Sequence, residues 1–548
     1  MNQSFFRSTL TITLFAPLAS YLIVIPATVA MLVMAAIPVR AAEQEHHHYK
    51  LIDIGTFGGP LSYFNSLSLS DRFGFGGATY GFAEVLNARG ILVGGAATSA
   101  PDPFPNSCFA NPGNIAPSCF ASHAFQWQKG VQTDLGTLPG GANSLAMWIS
   151  PNALIAGVSQ NGSIDPLSGV PELRAVFWKK DQITDLGTLG GNVSMASAVN
   201  NRDQIVGAAT NATPDPFSFV YLFTASPCSN GTQTRAVLWD KGVPHDLGTL
   251  GGPDAAAFLV NQRGHVAGVS YTNSIPNLDN CFPPPILICI PTVDPFLWDP
   301  KTGMRDLGNF GDQAAAVNGL NNQGEVVGGL WLPGNQQIHP FLWDGKKLID
   351  MVAPPFGGTG NGEASWINES GEVVGLAGVL ASCPSGSAVG PIQHAFLWRN
   401  GLIKDLGALP GSPNSEGDFI NSRSQIVGLA WTCDFSFTAV LWENDSVVDL
   451  NTLVPANSPY LFASSFIDDR GEIAGLALFA NSDIHAVLLI PCDEGHPNVE
   501  GCDYSPVEES EVAASHAPLQ RQLTPNEIDR IRGLVMSRQR GFMPRTAR

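Results

Sequence analysis

Three short patterns recur in one fixed order along most of this 548-residue chain, and that periodicity restricts the fold more than any other feature. The first is D-L-G-T-L-x-G, beginning at Asp53, Asp134, Asp185, Asp246, Asp306 and Asp405, with degenerate copies at Asp350 and Asp449. The second is an apolar residue followed by N-x-x-G-x-V/I-V/A-G, as in Leu320 to Gly328, with further copies ending at Gly94, Gly157, Gly207, Gly268, Gly375, Gly428 and Gly475. The third is H/R-A-F/V-L-W, clearest at His394 to Trp398, with copies ending at Trp127, Trp178, Trp239, Trp298, Trp343 and Trp442 and a last one, His485 to Leu489, that lacks the Trp.

Each unit divides into four strand-length apolar pieces separated by turn residues, which matches a propeller blade better than a solenoid coil. The abundance of Gly (58) and Pro (41) against 14% charged residues favours short strands and tight turns, hence an all-β fold. The N-x-x-G step supplies an Asn to cap a turn and a Gly for positive φ, and W-x-x-G joins two strands by a second tight hairpin. The array opens with a D-I-G strand at Asp53 and ends with the H-A-V-L-L piece that precedes D-L-G in every other unit. The expectation is therefore a β-propeller of eight four-stranded antiparallel blades, closed by pairing of the N- and C-terminal strands, with no open edge left. Gly- and Ala-rich strands such as Ile426 to Ala430 are expected at the crowded axis, and the repeated Trp between blades.

These patterns resemble the bacterial extracellular repeat family named HAF, after the tripeptide seen at His123-Ala124-Phe125 and His394-Ala395-Phe396. The resemblance runs from about Tyr49 to Ile490 and implies export and repeat architecture rather than a reaction. Arg174-Ala175-Val176, Asp294-Pro295-Phe296 and Thr438-Ala439-Val440 depart from the tripeptide, so no universal role for its His follows.

Residues 1–41 read as a signal peptide: Arg7, an apolar stretch from about Thr9 to Val39, then Val39-Arg40-Ala41 with small residues at the cleavage positions. A retained membrane anchor is the alternative, weakened by Pro17 and Pro26. A disordered mature N-terminus with His46-His47-His48 (42–49), the propeller (50–491), a linker (492–522) and a short helix with a basic tail (523–548) complete the organisation. The helix start is written in Thr524, Pro525 and Glu527, and its arginines contrast with an acidic body; docking on the propeller and a free tail both remain open. Nine cysteines fit an oxidising compartment. Candidate pairs are Cys108 with Cys119, Cys281 with Cys289, Cys492 with Cys502, and Cys383 with Cys433 across neighbouring repeats, leaving Cys228.

In a four-stranded meander alternate connections go to opposite faces, so the tight turns share one face. The other receives the G-T-L-x-G loops and the insertions Ser99 to Ser122, Asn211 to Thr234, Thr272 to Val293, Ala377 to Gln393 and the segment after Gly59. Insertions gathered on one face mark the binding face of a repeat protein. Tyr271, Trp331 and Trp431, three residues beyond strand glycines, are candidate ligand-stacking rings or else the cores of small clusters beneath the insertions. His123, His339 and His394 begin strands on that face and can meet anions or simply be solvated. The repeated Asp of D-L-G fits a turn better than calcium, and no pair of cysteines has zinc spacing.

The net charge of −19 argues against nucleic acid as a partner, and no nucleotide or metalloprotease motif calls for a cofactor. The favoured function is a secreted or cell-envelope, non-catalytic propeller that binds glycan or protein. The alternative is a polysaccharide hydrolase or lyase using acids such as Asp102, Asp215, Asp294 or Asp434 from the insertions.

Overall fold

The repeated apolar pieces form strands because each alternates between two blade interfaces, and the Asn, Gly and Asp between them satisfy the turns. The computed structural model describes residues 46–64, 83–104, 120–180, 182–219, 231–278, 289–311, 315–332, 337–351, 356, 362–387, 391–507 and 523–539. The expected signal peptide (1–41), Cys108, Cys119, Cys228 and Cys281 lie outside the described residues.

The chain begins with β1 (Tyr49–Asp53). Blade 1 follows as β2 (Gly58–Tyr63), β3 (Leu92–Pro101), β4 (Phe120–Gln128) and β5 (Val131–Asp134), and blade 2 as β6 (Ser144–Ile149), β7 (Ile155–Ile164), β8 (Pro171–Lys179) and β9 (Gln182–Asp185). Blade 3 is β10 (Gly190–Val199), β11 (Gln204–Pro214), β12 (Thr232–Asp240) and β13 (Val243–Asp246); blade 4 is β14 (Ala255–Val260), β15 (Val266–Tyr271), β16 (Val293–Asp299) and β17 (Gly303–Asp306). Blade 5 is β18 (Ala315–Leu320), β19 (Val326–Trp331), β20 (Ile338–Trp343) and β21 (Leu348–Asp350); blade 6 is β22 (Gly362–Ile367), β23 (Val373–Ser382), β24 (Pro391–Arg399) and β25 (Leu402–Gly407). Blade 7 is β26 (Asn414–Ile420), β27 (Ile426–Trp431), β28 (Phe437–Glu443) and β29 (Ser446–Asp449). Blade 8 takes β30 (Tyr460–Ile467), β31 (Ile473–Leu478) and β32 (Ile484–Pro491) from the end of the array and borrows β1 from its beginning.

The closure is antiparallel, from Tyr49 opposite Pro491 to Asp53 opposite Val487. Each blade packs its first strand on the blade before it, and β2 on β32 completes the ring. The fold is thus an eight-bladed β-propeller with a C-terminal helix, α1 (Pro525–Gln539).

The first strand of each blade, not the Gly- and Ala-rich second, is innermost. Aromatic rings mark the axis: Trp148 of blade 2 and Trp366 of blade 6, opposite one another in a ring of eight, have centroids 6.3 Å apart. Phe419 stacks on Trp366 at 4.4 Å and Phe466 on Phe419 at 4.4 Å, so one aromatic layer fills the axis. A β-bulge in these inner strands, as between Ala146 and Trp148 or Gly417 and Phe419, turns the side chains inward. The second strand's Gly answers that bulge. A Cβ at Gly428 would land on the Glu416 carbonyl oxygen, and one at Gly328 on that of Ala316. In blade 1 the inner strand is interrupted where its partners carry the bulge: it leaves at Phe64 and resumes at Ala83, so the segment after Gly59 departs from the strand itself rather than from a loop.

The N-x-x-G turns form a second ring. Asn321 Oδ1 accepts the N–H groups of Gln323 and Glu325, capping its own turn, while its Nδ2 donates to the Asn368 carbonyl of the next blade. Asn200 to Asn261, Asn261 to Asn321, Asn368 to Asn421 and Asn421 to Asp468 repeat that link, and Asn87 makes it to Ser150. The third turn residue has positive φ, met by Gly324 (84°) and Gly371 (75°). Near this ring Glu84 is half-buried beside Trp148, and desolvation, with Glu369 adding, pushes its carboxyl up to about 7.

The repeated Trp lies between blades as expected. Trp178 Nε1 donates to the Leu135 carbonyl of the preceding blade at 3.0 Å, Trp239 to Leu186 at 2.9 Å and Trp442 to Leu406 at 3.2 Å.

The segment before β1, expected to be disordered, differs from expectation. His46 is buried, its Nδ1 2.9 Å from Glu443 and its Nε2 3.1 Å from Ser446 Oγ, and the Tyr49 N–H donates to the Leu453 carbonyl. The segment leading into the closing strand is held against blade 7 because its polar groups find partners there.

Candidate functional site

The loop face is built from the D-L-G turns upward. Asp134 Oδ1 accepts the Gly136 N–H at 2.7 Å, and its Oδ2 lies 2.8 Å from His123 Nδ1 on the neighbouring strand. The same two-sided arrangement joins His394 to Asp405 at 3.0 Å and His485 to Asp53 at 2.8 Å across the ring closure, and Arg235 replaces the His opposite Asp246 at 2.9 Å. His339 meets Asp350 at 3.0 Å. Burial raises the Asp134 and Asp405 carboxyls, but the His hydrogen bond and the turn N–H together outweigh it and hold both below the usual range. The strand-start His and the turn Asp are therefore one unit, a pin between the third and fourth strands.

Above these pins, four hairpins project. The second strands of blades 1, 2, 3 and 6 run well past the blade body, and each crosses a register shift at the same place, at Ala97/Pro101, Gln160/Ile164, Thr210/Pro214 and Gly378/Ser382. A bulge there re-aims the hairpin away from the body. Burial falls beyond it, and large apolar side chains emerge: Ile164, Leu167 and Leu380 (74% exposed), joined by Ile275 and Leu278 (84% exposed) from the blade 4 connection.

The insertions of blades 1, 3 and 6 are clamped by the blade that follows. Asn143 Oδ1 accepts the Ser122 N–H at 2.8 Å and its Nδ2 donates to Asp102, while Asn414 treats Gln393 and Cys383 in the same way. In blade 4 the clamp is Asp254, which accepts the Thr234 N–H at 2.8 Å and the Phe219 N–H at 2.6 Å and hydrogen-bonds the Asp215 carboxyl. Burial drives Asp254 well above the usual carboxylate range, and the Asp215 charge adds to the rise.

The aromatic candidates separate. Tyr271 is fully buried, its ring 4.2 Å from Phe219 and its hydroxyl donating to the Phe217 carbonyl at 2.9 Å. Trp431 is 1% exposed and packs beside Phe437. Both rings are the cores of clusters beneath the insertions, where no ligand reaches them. Trp331 stays half-exposed at the end of β19. It pairs with Ile338, so it and His339 stand on opposite faces of blade 5 and do not converge.

The acids of the enzymatic alternative are dispersed as well. Asp102, Asp215 and Asp434 belong to the connections of blades 1, 3 and 7, and Asp294 lies in β16 of blade 4. Asp102 bonds Asn143, Asp215 bonds Asp254, and Asp294 accepts from Asn309 at 2.9 Å, its carboxyl raised to about 6 by burial. Carboxylates that sequence reasoning missed lie on the inner strands: Glu363, Glu416 and Asp418 are buried in blades 6 and 7, and Asn318 of blade 5 donates to Glu363. Aligning the inner strands would have exposed them, since the matching positions elsewhere include Leu145, Met195 and Ala256.

Two candidate disulfides form, Cys383 with Cys433 between the connections of blades 6 and 7, and Cys492 with Cys502 just beyond β32. Cys289 is also disulfide-bonded, its partner lying outside the described residues. Among the described residues no helix is long and apolar enough to cross a membrane, and no group of His, Cys, Asp and Glu is arranged to hold a metal ion.

No family model matches the sequence, and no curated protein does. Among solved structures, the chain is similar to the β-propeller domain of the Trilobed protease from Pyrococcus furiosus, at 10% identity and TM-score 0.35 over 61% of this chain and 88% of that one. It is similar to an oligogalacturonate lyase from Vibrio parahaemolyticus, at 9% identity and TM-score 0.35 over 82% and 97%. It is also similar to dipeptidyl peptidase 4 of Porphyromonas gingivalis, at 8% identity and TM-score 0.38 over 65% and 53%. No function passes from likenesses this distant.

Proposed function

We propose that this chain is an exported, non-catalytic binding propeller of the HAF-repeat kind that takes a glycan or protein ligand on its loop face. The carrying observation is the asymmetry of the two faces. On one, short Asn-capped turns are linked blade to blade and leave little free to recognise anything. On the other, bulged hairpins hold Ile164 and Leu380, and the blade 4 connection holds Ile275 and Leu278, out into solvent. Apolar side chains held on ordered, anchored loops are the raw material of recognition. The disulfides between loops suit an oxidising compartment outside the cytoplasm.

The test is binding of the segment from Ala42 to Arg548 to a panel of glycans and envelope polysaccharides, with released products assayed in the same wells. Binding without products is expected, and Trp331→Ala, which removes the half-exposed ring on this face, should weaken it about tenfold. Release of products would replace this reading with the enzymatic one.

A further inference from the structure

The C-terminal helix lies on the loop face, and its contacts resemble those of a ligand more than those of a loose tail. Thr524 and Glu527 close a capping box, Thr524 N–H donating to Glu527 Oε2 at 2.8 Å and Glu527 N–H to Thr524 Oγ1 at 3.3 Å. An isolated helix of fifteen residues is still marginal in water, so docking must stabilise it. Ile531 supplies that: it is fully buried and part of the main apolar core. Next to it, the Arg532 guanidinium donates to the Asp434 carbonyl at 2.6 Å and lies over the Phe435 ring, 5.6 Å from its centroid. Arg530 is half-buried under the field of Asp483, in the loop between β31 and β32; burial lowers its affinity for the proton, and Asp483 opposes that.

The receiving loops carry marks of a site. Phe435, directly beneath Arg532, has φ of +62°, a conformation rare for a bulky side chain, and Ser482 in the blade 8 loop has φ of +68°. The strained loop is held by its own bonds, Thr432 Oγ1 accepting the Ser436 N–H, and by the Cys383–Cys433 disulfide one residue from Asp434. Beneath it Phe437 and Trp431 complete an aromatic floor, and the buried Trp431 Nε1 finds no hydrogen-bond partner among the described residues.

We propose that the loops of blades 7 and 8, around Asp434, Phe435 and Asp483, form a groove for a helical peptide presenting an adjacent apolar residue and arginine, and that the protein's own C-terminal helix occupies it in cis. This rests on the reading of the loop face as the binding face and adds both a partner class and a control: the tether keeps the helix at an effective concentration on the order of millimolar, which an external peptide must overcome.

The probe is a labelled synthetic peptide of residues 523–539, titrated into the full mature chain and into its Ile531→Asp and Arg532→Glu variants, in which the helix is released. The propeller closes through β1 and β32 without the helix, and an unchanged β-sheet circular dichroism spectrum checks that the variants fold. Both variants should bind the peptide at least tenfold more tightly than the wild-type chain, and a peptide carrying Arg532→Glu should lose that gain. Equal affinity for the wild-type and released chains, or indifference to the peptide's Arg532, would overturn the proposal. So would a wild-type dimer that the peptide dissolves, because the occupant would then be a second copy's helix. The assay contains no glycan, so a blank polysaccharide panel would count against the broader binding reading without touching this result.

Discussion

At the residue scale, most motif positions do two jobs, one in their own turn and one across to a neighbour. The Asn of N-x-x-G caps its turn and links the next blade; the Asp of D-L-G holds its turn glycine and pins the His or Arg of the strand before it. Both roles need a short side chain with two polar ends, which explains why these residue types recur. The Asp254–Asp215 pair shows what happens where the clamp departs from Asn. Because Asp254's folded pKa is raised, the folded state keeps a proton that the unfolded chain releases above about pH 4. Asp254's contribution is thus full below that pH and is lost as pH rises through the folded value. Asp215→Asn should remove the neighbouring like charge and offer Asp254 an amide donor in its place. We expect it to gain about 1–3 kcal/mol over wild type at pH 8 and to converge with it near pH 4, read from thermal melts at both pH values. An equal difference at the two pH values would contradict the raised Asp254 carboxyl.

At the element scale, the bulge of the inner strand and the glycine of the second strand are two halves of one device. Gly328→Ala would force a Cβ onto the Ala316 carbonyl, and we expect a loss of about 3 kcal/mol in denaturant unfolding, whereas a cost under about 0.5 kcal/mol would show that the bulge relaxes freely. The glycine itself was legible in the sequence because it recurs in every unit. Its reason was not, since a bulge has no residue signature of its own. The same division explains the axis. Trp148, Trp366, Phe419 and Phe466 share one strand position, but other blades place Ala198 or Gly319 there, so no recurring letter announced the plug and the Gly- and Ala-rich second strand looked better suited. Tyr271 and Trp431 were identified by their offset from a strand glycine, yet their exposure depends on insertions that follow no repeat.

At the scale of the whole molecule, the eight blades and their closure were legible because the array's ends are complementary halves of one unit. His485 and Asp53, at opposite ends of the array, make the pin that the units of blades 1, 3, 5 and 6 make within themselves. Deleting Tyr49–Asp53 should expose the edge of β32 and speed amide exchange in blade 8 about tenfold before other blades respond; uniform protection across the ring would contradict closure by this strand. The docked helix and the held His46 were not legible, because each depends on a surface assembled from distant segments. The two faces differ by the same logic: one repeats and is bonded to itself, the other varies and is free to recognise. The direct test is amide hydrogen exchange of the segment from Ala42 to Arg548 with and without the glycan or polysaccharide that the panel retains most tightly. The account predicts protection confined to the hairpin ends near Ile164 and Leu380 and the connection around Ile275 and Leu278, with the Asn-capped turns unchanged. Protection centred on the turns from Asn200, Asn321 and Asn421 would place the ligand on the opposite face and contradict it.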